Sequence, residues 1–194
     1  MGVCFVAYAV SDANITEVLA DPSLVWRVIE SEDESSYLRE LSKGAQSSML
    51  AKLFGKTRPA PEIRTLHFTE FELRFVDLDK SWDGLNACLK VCAPQAPNFF
   101  EGSGEVGKIE VGYGRALYHR SDVMTRVAQA YAGLTSEHLL ASFRSLDLTG
   151  SYPRGMWRQH DPHIESYLTE NLAELQAFVG YTKEHALGAI IQFT

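Results

Sequence analysis

Two apolar runs bracket the chain, Gly2-Val3-Cys4-Phe5-Val6-Ala7-Tyr8-Ala9-Val10 near its start and Ala186-Leu187-Gly188-Ala189-Ile190-Ile191-Gln192-Phe193 near its end. Both are rich in β-branched or aromatic residues and show no solvated alternate position, which predicts strands covered on both faces and central in a sheet. Glu70-Phe71-Glu72-Leu73-Arg74-Phe75 alternates strictly. That period predicts a half-buried strand with Phe71, Leu73 and Phe75 toward a core and Glu70, Glu72 and Arg74 toward water. A further strand-like stretch, Lys108-Ile109-Glu110-Val111, lies between glycines.

Helical periods separate these runs. Ser11 or Asp12 can cap a helix carrying Ile15, Val18 and Leu19, and Asp21-Pro22 places a capping carboxylate before a proline at the first helical position. Asp77 or Asp79 is expected to cap the next helix, whose stripe is Trp82, Leu85, Cys88, Leu89 and Cys92, with Pro94 and Pro97 beyond its end. Ser121 and Thr135 open two more, and Asp161-Pro162 launches a long one through Ile164, Leu168, Leu172, Leu175 and Val179.

Residues 31–62 differ in character. An acidic cluster, Ser31 to Ser36, precedes a helical pattern through Tyr37, Leu38, Leu41, Met49, Leu50, Leu53 and Phe54, closed by Pro59 and Pro61. We read a helical or mobile excursion from a single α+β domain spanning residues 1–194. Its core is expected to be a small mixed sheet, first and last strands central, packed against about six helices.

Charge narrows the possible partners. The 194 residues carry a formal net charge of -7, the wrong sign for a nucleic-acid binder but compatible with a basic protein partner. Neither apolar run approaches the ~20 residues of a membrane span, and the first lacks a basic leader. Three cysteines are too few, and odd in number, for a disulfide framework. Together these features predict a cytoplasmic protein that does not engage membranes.

Chemistry-bearing motifs are sparse. Gly102-Ser103-Gly104 lacks the lysine and hydroxyl residue of a phosphate loop, and no nucleophile elbow occurs. Cys88 and Cys92 lack histidine companions, while in His160-Asp161-Pro162-His163 the carboxylate is committed to capping. No metal or cofactor is expected.

Leu78-Asp79-Lys80-Ser81-Trp82-Asp83-Gly84-Leu85 resembles the L-D-K-x-W-x-x-L signature of the YfbM-like family of uncharacterised bacterial proteins. Gly112-Tyr113-Gly114-Arg115-Ala116-Leu117-Tyr118 is similar to its G-Y-G-P-A-R-Y segment, and Tyr152-Pro153-Arg154-Gly155-Met156-Trp157 to its I-Y-P-G-x-W turn. Asp83 stands where many relatives carry histidine, Leu117 where they carry arginine, and Arg154 interrupts the proline-glycine pair. The resemblance implies one small α+β domain and brings no accepted reaction, cofactor or catalytic set.

Tyr113, Tyr152, Arg154 and Trp157 are large side chains with a polar handle, the types that anchor recognition surfaces. They are the candidate binding residues. The favoured expectation is a non-enzymatic protein-binding module, an immunity-type inhibitor of a toxin. The alternative is a small hydrolase-like enzyme whose cleft is formed by the three family motifs, with Asp83 and His119 as its acid–base pair.

Overall fold

The computed structural model describes residues 2–31, 33–46 and 63–194. Its elements run β1 (Phe5–Val10), α1 (Asp12–Ala20), a 3-10 turn (Pro22–Leu24), α2 (Val25–Ile29), α3 (Ser35–Gln46), β2 (Phe75–Asp77), α4 (Trp82–Cys92), β3 (Gly104–Glu110), β4 (Arg115–His119), α5 (Ser121–Tyr131), α6 (Ser136–Ser145), α7 (Pro162–Glu184) and β5 (Gly188–Phe193). Five strands lie in the order β2-β1-β5-β4-β3, so the first and last strands in sequence are neighbours inside the sheet, as their doubly apolar patterns require. The fold is α+β.

Every pairing is antiparallel, which corrects the expected mixed sheet. Burial of both faces does not select the pairing direction, because helices on both sides of an antiparallel sheet produce the same apolar run. On one face Phe5, Ala7, Ala9 and Ile191 pack with Leu85 and Leu89 of α4, Val127 of α5, Phe143 of α6 and Leu172 of α7. On the other, Val10, Ile190 and Ala116 meet Ile15 and Val18 of α1, Val28 of α2 and Tyr37 of α3. Among the described residues no helix is long and apolar enough to cross a membrane.

Several helix starts follow the sequence. Ser11 Oγ accepts from the Asn14 amide, and Asp161 accepts from the His163 amide with Pro162 at the first helical position. Thr135 and His138 form a reciprocal capping box. Ser121 behaves otherwise: its hydroxyl and its amide both donate to the Asp12 carboxylate, at 2.7 and 3.0 Å, so α5 is capped by a side chain of α1. Neither Asp77 nor Asp79 caps α4. Asp77 Oδ1 instead accepts from the Asp79 amide, Asp79 holds φ 44°, and the residue before α4 is Ser81.

The alternating stretch Glu70–Phe75 is not a strand along its length. β2 begins only at Phe75 and Leu73 has φ 67°; Glu70 and Arg74 face water as expected, but Glu72 is buried while Phe71 is exposed and Phe75 is 62% exposed. The cause is the Glu72 carboxylate, which accepts from the amides of Ser11 (2.7 Å) and Thr69 (2.9 Å) and from Asn14 Nδ2 (2.8 Å). With the Thr69 hydroxyl at 3.2 Å, four donors converge on one buried carboxylate and outweigh the period-2 preference of the flanking side chains. In the 31–62 stretch, α3 begins the expected helical pattern and buries Tyr37. Met49, Leu50, Leu53, Phe54, Pro59 and Pro61 lie outside the described residues.

Candidate functional site

The three signature segments meet at one end of the sheet, where they clasp residues 2–5 and Phe193. Leu78 is buried, and its amide donates to Phe5 O while Asp79 O accepts from Phe5 N, extending the β1–β2 ladder. Trp82 Nε1 donates to Val3 O at 3.1 Å, and the Val3 amide donates to the Tyr152 hydroxyl at 2.5 Å. Asp79 accepts from the Cys4 thiol at 3.1 Å and from the Tyr167 hydroxyl at 3.0 Å. The Tyr167 oxygen in turn accepts from the Lys80 amide.

The second and third segments close on the first. Asp83 Oδ2 accepts from the Tyr152 amide at 2.7 Å, and Trp157 Nε1 donates to Tyr152 O at 2.9 Å. The Trp82 indole stacks on Tyr152 and meets Phe193 edge-on, with centroids 5.9 and 4.9 Å apart. The Tyr113 amide donates to Phe193 O at 2.7 Å. A Cβ at Gly112, which has φ 91°, would stand 2.3 Å from that same oxygen, so glycine permits the approach. Trp82, Tyr152, Trp157 and Gly112 of the motifs thus serve packing and chain registry.

Of the four expected binding residues, Trp157 is buried and Tyr152 is half-buried and engaged at its amide, carbonyl and hydroxyl. Arg154 and Tyr113 face solvent. Asp83 and His119 share no hydrogen bond. His119 is buried at the end of β4, with Nε2 3.0 Å from Phe99 O and Nδ1 2.8 Å from Ser103 Oγ. A carbonyl only accepts, so Nε2 carries the proton and Nδ1 accepts from the serine hydroxyl. Burial pushes the His119 pKa down against the opposing pull of the Phe99 and Asn98 carbonyls, which keeps the ring neutral. The cysteines are equally quiet: burial, with Cys92 nearby, drives the Cys88 thiol to about 12, and burial also raises Cys4 and Cys92.

A different feature occupies the β2 margin of the sheet. Between the end of α2 and this edge lies an open depression of about 750 Å³. Its apolar surface includes Tyr8, Ile29, Leu73 and Phe75, and carboxylates come from Glu30 and Asp33. Among the described residues that line it there is no lysine, arginine or histidine. Phe75 tilts against Tyr8 at a centroid separation of 6.0 Å. Burial raises the Tyr8 pKa despite the Gln192 hydrogen bond, and the charges of Asp77 and Glu30 add to the rise, so Asp77 also acts on this space. The alternating pattern had assigned Phe75 to the core; only the carboxylates at 30 to 34 signalled an acidic surface here.

A family model described as Domain of unknown function (DUF1877) matches residues 1–192. No curated protein matches the chain. Among solved structures, a protein of unknown function from Escherichia coli, YfbM, superposes with a TM-score of 0.54 at 12% identity. The superposition covers 98% of this chain and 99% of that one. At that identity the likeness concerns the fold.

Proposed function

We propose that this chain, which belongs to the DUF1877 family, is a bacterial cytoplasmic protein-binding module that acts by docking on another protein, as an immunity-type inhibitor does on its toxin. One observation carries the reading: the depression beside β2 combines exposed aromatic surface with the carboxylates of Glu30 and Asp33. Apolar area supplies affinity on desolvation, and a one-signed rim supplies steering and selectivity toward a basic partner. The net charge of -7 favours the same encounter. Arg154 and Tyr113 supply a second exposed recognition surface at the signature end. The carboxylate and imidazole that a hydrolytic reading would use are engaged in holding backbone, Asp83 by the Tyr152 amide and His119 by Phe99 O and Ser103.

The test is co-purification and titration calorimetry of the chain with the products of genes adjacent to its own. A stoichiometric complex with one of them, together with rescue of growth when that partner is toxic on its own, is the expected result. Absence of any complex, combined with a hydrolase activity that Asp83→Asn or His119→Gln abolishes, would replace this reading with the enzymatic one.

A further inference from the structure

Resting on the protein-binding reading, we propose that the depression receives an extended segment of the partner that carries lysine or arginine and adds as a strand to the outer edge of β2. Three observations converge on this occupant.

The first is main-chain geometry. Among the described residues β2 is an edge strand whose paired neighbour is β1, with Ala7 opposite Val76. Phe5 and Ala9 each exchange backbone hydrogen bonds with the β2 side, at Leu78 and Asp79 and at Leu73 and Arg74. Cys4 does so with Thr194 beyond β5. Odd residues of β1 therefore bond toward β2, so Ala7 engages Val76. Alternation in an antiparallel ladder then turns the main-chain groups of Phe75 and Asp77 outward. An extended peptide satisfies such groups by strand addition.

The second is side-chain chemistry. A strand lying beside β2 places alternate side chains on the same face as Phe75 and Tyr8. There it meets aromatic rings next to Glu30, Asp33 and Asp77; Arg39 acts on Asp33, and among the described residues that line the depression none is a cation. A side chain with an aliphatic stem and a cationic tip matches both parts of that surface.

The third is the kind of protection the edge carries. Sheet edges are commonly protected by shortness, bulges, prolines or lysines. β2 is three residues long, and the pairing is irregular at both ends, where Ala9 bonds to Leu73 and Arg74 and Phe5 to Leu78 and Asp79. Its one charged residue, Asp77, is an acid that repels acidic strands and admits basic ones. The second edge, β3, carries Lys108 beside its own register shift between Glu105 and Glu110.

The experiment is fluorescence anisotropy of the full chain with two synthetic peptides of alternating valine and charged residues, one with lysine and arginine and one with glutamate. A third peptide repeats the cationic one with alternate backbone amides N-methylated. The cationic peptide is expected to bind about tenfold or more tightly than the acidic one and to weaken as salt rises. N-methylation should remove that advantage, and Phe75→Ser or Glu30→Gln should each weaken binding several-fold. Phe75 is exposed and Glu30 half-buried, and circular dichroism verifies that both variants fold.

Equal binding of the acidic peptide overturns the charge assignment, and equal binding of the N-methylated peptide overturns strand addition. If a neighbouring gene's product forms a complex that Phe75→Ser leaves intact, the protein-binding reading stands and this placement of the partner falls. If no product and no peptide binds, both fall.

Discussion

The Trp157 indole lies directly over Gly84: a Cβ added at residue 84 would come within 2.5 Å of the ring. Glycine inside a helix costs about 1 kcal/mol relative to alanine, so the first turn of α4 gives up helical propensity to seat this ring. The indole cannot shift freely because its N–H is bound to Tyr152 O. Gly84→Ala is therefore expected to lower stability by roughly 1–3 kcal/mol, the usual cost of overpacking, despite the better helix former. In the Trp157→Ala background the same change should be neutral or stabilising. Urea unfolding of the double-mutant cycle measures the coupling, and additive effects would refute the contact argument.

Glu72 holds the 69–74 turn against the start of α1, and its role is pH-dependent. Burial alone would raise its pKa, but the amides of Thr69 and Ser11 and the Asn14 side chain hold it below the ordinary 4.5. A depressed carboxylate contributes stability above its unfolded pKa and loses that contribution as pH falls through the folded value. Glu72→Gln turns an NH2 toward donors, so we expect a loss of about 2 kcal/mol at pH 7. That gap should narrow as the parent's carboxylate protonates. Unfolding midpoints measured across the acid range decide it; a gap that is constant with pH would exclude the charge as the cause.

The two ways in which the alternating stretch misled have a common origin. Helix faces, the two doubly buried strands and the Asp161-Pro162 start were legible because each depends on side chains near in sequence. Glu72 and Asp79 were not, because their partners, Ser11 and Asn14 in one case and Cys4 and Tyr167 in the other, lie 58 to 88 positions away. The candidate site follows the same rule. Tyr152 and Trp157 have the residue types of a binding surface, yet their polar handles are turned inward by Val3 and by Tyr152 O. The exposed aromatic, Phe75, sits where periodicity placed a core position.

His119 gives a second pH window, above that of the carboxylates. Its folded pKa lies below the ordinary 6.5 because burial disfavours the charged ring. Stability is then complete above 6.5 and declines as pH falls, since the unfolded chain takes up the proton first. The ring is met by Ser103, the stacked Phe99 ring and the carbonyls of Phe99 and Asn98; the two carbonyls favour the charged form, but burial outweighs them. His119→Gln can donate to Phe99 O and accept from Ser103 without titrating. It is expected to cost about 1–2 kcal/mol at pH 8 and to show a shallower decline than the parent between pH 6.5 and the onset of carboxylate titration. Parallel stability curves would show that another group governs this window.

Asp79 tests whether the first signature segment is a clasp. It combines a left-handed backbone, φ 44°, with a carboxylate that accepts from Cys4 and Tyr167. Those demands separate by substitution. Asparagine tolerates the backbone and retains one acceptor, so Asp79→Asn should cost least, about 1 kcal/mol. Glycine removes the backbone cost but leaves the Tyr167 hydroxyl without its acceptor and frees the unfolded chain, which places Asp79→Gly in the middle. Alanine loses the acceptor and adds the left-handed penalty of about 1–2 kcal/mol, for a total near 3 kcal/mol. Because the bond to Tyr167 joins α7 to the segment that pairs with β1, hydrogen exchange at Phe5 should quicken in the same order. Equal losses for glycine and alanine would remove the backbone from the account, whereas unchanged exchange at Phe5 would show that the carboxylate does not hold the N-terminal strand.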